Sequence, residues 1–89
     1  MNTLQKINAI QRPESIYSIH AYTDDESGDL LVDIVAWRTH SQKEEDARFI
    51  DLSNTLAEIE SLGVNVEQVG TIDHEEGHGW MYQIKTTHK

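Results

Sequence analysis

The segment His74-Glu75-Glu76-Gly77-His78 matches H-E-x-x-H, the spacing with which zinc peptidases hold their metal. That chemistry requires both imidazoles on one helix face, one turn apart, with the glutamate beside them as general base toward a zinc-bound water. The surrounding residues argue against it. Gly77 lies inside the motif and Gly79 just after it, and the flanks Val64-Asn65-Val66 and Trp80-Met81-Tyr82-Gln83-Ile84 read as strands. The extended motif would need a glycine and a third histidine where Met81 and Ile84 stand. The segment is therefore read as a loop joining two strands. From such a loop His74 and His78, with Asp73, Glu75 and Glu76, form an alternative site for a divalent metal, to which His20 and His40 could add ligands. Solvated surface groups are the plainer reading, and no metal or cofactor is expected.

Other chemistry has less support. The acidic run Asp24-Asp25-Glu26-Ser27-Gly28-Asp29 invites calcium, but an EF-hand loop counted from Asp24 needs glycine where Asp29 stands and glutamate where Val35 stands. A hairpin turn explains the run better. None of the serines at 15, 18, 27, 41, 53 and 61 sits in a nucleophile-elbow context, there is no cysteine, and no glycine-rich phosphate loop occurs. No catalytic residues are assigned, and a non-enzymatic protein is expected.

A few elements must position these groups. Leu4, Ile7 and Ile10 recur every three residues, which predicts a short helix within residues 1–12, stopped by Pro13. Ser15 to Thr23 is rich in β-branched and aromatic residues and reads as a strand, and Gly28 supplies the turn that sends the chain back. The return strand places Leu30, Val32, Ile34 and Ala36 on one face and Leu31, Asp33, Val35 and Trp37 on the other. Two nearly apolar faces predict a central strand whose second face is partly covered or presented to a partner.

Residues 39–52 admit two readings. Ser41-Gln42-Lys43-Glu44 fits a capping box opening a long helix to Leu62. Alternatively Arg48-Phe49-Ile50-Asp51-Leu52 is a third strand and the helix opens at Ser53; this second reading is preferred. Either way Leu52, Leu56, Ile59 and Leu62 mark one helical stripe, with Gly63 at the C-cap. The alternation from Val64 slips phase at Gln68-Val69, which predicts a bulge or strand end near Gly70. A last strand begins at Trp80, and the tail from Thr86 is expected to fray. The chain as a whole predicts an α+β fold, a small antiparallel sheet of four to five strands with one main helix packed on a face, in a single domain over residues 1–89.

Composition narrows the function classes. An 89-residue chain without cysteine buries only about 60–65 per cent of its unfolded surface and has no disulfide to brace it, so self-association is a common aid. No apolar run reaches the length of a membrane span, and Met1-Asn2-Thr3-Leu4-Gln5-Lys6 lacks the pattern of a signal peptide. The expected location is cytoplasmic, with no membrane contact. Sixteen acidic residues against seven basic ones leave a net charge of −9. Such charge opposes direct binding to nucleic acid and favours a partner with a basic surface; its plain alternative is solubility.

The carboxylates gather at the first hairpin, near the start of the helix, on the helix (Glu58, Glu60) and in the last loop. The candidate partner contacts are Asp24, Asp25, Glu26, Glu44, Glu45, Asp73, Glu75 and Glu76, with Trp37 and Trp80 as aromatic anchors. Each tryptophan is read first as core packing and only second as an anchor. In size, acidity and lack of cysteine the chain resembles the small inhibitors that phages and mobile elements use against restriction or CRISPR systems, although no family motif is present. The resemblance implies a binding protein that docks on a basic surface of a partner and blocks a nucleic-acid-handling protein by imitating phosphates. The alternative is a metal-binding module on the His74/His78 loop or a homodimer through the sheet face.

Overall fold

The computed structural model describes residues 2–73 and 79–88. Its elements are helix α1 (Thr3–Asn8), strands β1 (Ile16–Thr23) and β2 (Leu30–Trp37), helix α2 (Gln42–Glu60), and strands β3 (Val64–Asp73) and β4 (Gly79–His88). The strands form one four-stranded antiparallel sheet in the order β1-β2-β4-β3. After β2, α2 carries the chain to the far edge, and β4 returns between β3 and β2. This is the expected α+β fold, with β2 central as its two apolar faces required.

Because side chains alternate along a strand, the register defines two faces. Ala21, Val32, Ile34, Tyr82 and Ile84 point to the inner face and are buried, and Ile7 of α1 and Leu52 and Ile59 of α2 pack onto them as one core. Both helices thus lie on the same side. The outer face carries His20 and Tyr22 of β1, Leu31, Asp33, Val35 and Trp37 of β2, Met81, Gln83 and Lys85 of β4, and Glu67 and Ile72 of β3. At Val69 the register between Gln68 and Gly70 shifts, which is the anticipated bulge, and β3 then continues to Asp73.

Three details differ from expectation. The strand proposed at Arg48–Leu52 does not form, and α2 runs unbroken from Gln42. Its N-cap is Ser41, whose Oγ accepts the Glu44 N–H at 3.2 Å, while the Glu44 carboxylate accepts the His40 N–H at 2.8 Å. The buried stripe of α2 is Arg48, Leu52, Thr55 and Ile59. Half of that stripe is polar, which hides its period, whereas Phe49 and Ile50 remain 51% and 61% exposed and imitate a strand in the sequence. Second, α2 ends at Glu60 with Ser61 as C-cap, two residues before the expected stop. Third, the chain does not fray at Thr86. Thr86 is buried, pairs with Leu30 and Val66 across β4, and donates its hydroxyl to the Leu30 carbonyl at 2.8 Å.

Candidate functional site

The sheet separates the candidate carboxylates into two groups. Leu30 and Trp37 mark opposite ends of β2, about 23 Å apart at the rise of an extended chain. The hairpin with Asp24, Asp25 and Glu26 lies at the Leu30 end. Glu44 and Glu45 open α2 beyond the Trp37 end, where Asp73 also closes β3 opposite Trp80. Glu75 and Glu76 lie outside the described residues. Among the described residues, those singled out from sequence therefore do not form one continuous acidic face.

Several of these carboxylates have structural duties. Asp24 accepts the Glu26 N–H at 3.0 Å and its carbonyl accepts the Gly28 N–H at 2.8 Å, which shapes the turn around Gly28 at φ +76°. Glu44 caps α2, and Glu45 pairs at 3.3 Å with Arg48, a guanidinium only 5% exposed whose Nε has no hydrogen-bond partner among the described residues. Asp29 pairs with Lys85 at 3.5 Å. Asp25 and Glu26 remain exposed at the hairpin tip.

Glu58 and Glu60 join that end. The last turn of α2 leads directly into Val64, and Val66 pairs with Thr86, which pairs in turn with Leu30. The hairpin and the helix end therefore flank the same end of the sheet, where a depression of about 290 Å³ is lined by Thr3, Gly28, Asp29, Val64 and Thr86. Both glutamates are exposed, and the last turn contains no basic residue. A helix C-terminus carries partial negative charge of its own, so these carboxylates add to it, whereas at the other end the partial positive charge of the N-terminus offsets Glu44 and Glu45. Among the described residues the helix dipole thus reinforces the carboxylates at the Leu30 end and offsets those that open α2. Glu58 and Glu60 are not among the contacts expected from the sequence; the signal that marks them is an acidic last turn, contrary to what stabilises a helix.

The two tryptophans are not core residues. Trp37 is 44% and Trp80 40% exposed. They share one end of the sheet but belong to opposite faces, since Trp37 stands opposite Gly79 and Trp80 opposite Ala36. Trp37 meets the Tyr17 ring edge-on at a centroid distance of 4.7 Å. Beside Trp37 a cleft of about 630 Å³ is lined by Glu14, Arg38, Lys43 and Glu44, a set of mixed sign.

On the outer face Asp33 has a carboxyl raised above its usual range by burial, which outweighs the hydrogen bond from the Tyr22 hydroxyl at 3.4 Å and the nearby His20. Tyr22 is raised in turn, by burial first and then by the charge of Asp33. The His74/His78 loop and its metal reading lie outside the described residues. Of the histidines suggested as further ligands, His20 stacks on Tyr22 along the edge strand β1, while His40 precedes α2 beyond the Trp37 end. Among the described residues no group of three or more metal-ligating side chains converges.

The fold class and the two ends of the sheet define the protein as a small acidic α+β domain. No family model matches the chain, and no curated protein or solved structure matches it significantly.

Proposed function

We propose that this protein is a non-enzymatic binding module that docks the Leu30 end of its sheet on a basic surface of a partner protein. The observation that carries the reading is the last turn of α2. Glu58 and Glu60 stand where their charge opposes helix stability, without a basic neighbour in that turn, and at the same end as Asp25 and Glu26. A local arrangement that costs stability is a common mark of a functional surface. A basic groove built for phosphates is the complementary shape class, and a partner that handles nucleic acid is the expected target, blocked by occupation of that groove.

The test is capture from nuclease-treated lysate on the immobilised protein, eluted with a salt gradient. It is run beside a variant carrying Asp25→Asn, Glu26→Gln, Glu58→Gln and Glu60→Gln, and a control with Glu14→Gln and Asp46→Asn. The reading requires a basic protein that the control retains, the four-site variant loses, and added duplex DNA displaces. Equal capture by all three proteins, or capture of nothing, rejects it.

A further inference from the structure

We draw no further inference here: the strongest candidate, the half-apolar outer face of the sheet around Val35, Trp37 and Ile72, carries apolar and charged side chains together, and nothing in the structure shows what covers it.

Discussion

The side-chain amide of Asn8 bonds both backbone groups of Ala21, accepting its N–H at 2.7 Å and donating to its carbonyl at 3.2 Å. β1 is an edge strand, and this amide occupies the place of a neighbouring strand's peptide. The contact also ties α1 to the sheet beside the buried Ile7. Asn8→Ala leaves both groups to solvent or unpaired and lowers stability by about 1–2 kcal/mol, or about 5–10 °C in Tm. Urea and thermal unfolding measure this.

Gly79 is less tolerant than any exposed glycine. Its φ is +150°, and a Cβ there would lie 1.8 Å from the Ala36 carbonyl oxygen. Gly79→Ala must displace the β2–β4 backbone and is expected to cost about 3 kcal/mol or more, from overpacking together with backbone strain. Gly28→Ala is the comparison, because Gly28 has φ +76° and open space around it. There only the conformational strain of about 1–2 kcal/mol applies.

Asp33 makes stability depend on pH. Its carboxyl is raised above the unfolded value by burial, so between the two values the folded state holds the proton more tightly. The resulting stabilisation is complete below the unfolded pKa and is lost as pH rises through the folded pKa. Asp33→Asn keeps an acceptor for the Tyr22 hydroxyl and removes the charge. The variant is expected to be more stable than wild type at pH 7, by about a few degrees in Tm, with the gap closing as pH falls toward 4. Thermal melts of both proteins across pH 4–8 decide it, and a gap that widens toward acid contradicts the assignment.

The last turn of α2 separates stability from binding. Glu58→Lys and Glu60→Lys each place a cation beside the partial negative charge of the helix end and are expected to raise stability by about 0.3–1 kcal/mol. The same changes reverse charge on the proposed docking end, so they weaken capture of a basic partner. Denaturant midpoints and capture assays on the same variants test both halves.

Local signals carried far along parts of this chain and failed in others for identifiable reasons. The alternation from Leu30 to Trp37 was enough to recognise a central strand, because both of its faces are apolar and the period of an extended chain is short. The slip at Gln68-Val69 revealed the bulge for the same reason. Residues 48–52 misled because burial on α2 falls on Arg48 and Thr55, whose polar chemistry conceals a helical stripe, while Phe49 and Ile50 face outward. The fate of Thr86 was also hidden, since its hydroxyl is satisfied by Leu30, 56 residues away in the chain.

The candidate site divides along the same line. Sequence by itself determined the acidic excess, the absence of cysteine, the turn at Gly28 and the two faces of β2 and β4, all of which depend on residue type and short spacing. Tertiary structure alone decided that the hairpin carboxylates share one end of the sheet with the end of α2 while Glu44 and Asp73 belong to the opposite end. It also decided that Trp37 and Trp80 lie on different faces, and that both helices share one side and leave the other bare. Those outcomes follow from inserting β4 between β2 and β3, a pairing between distant segments that no local pattern encodes.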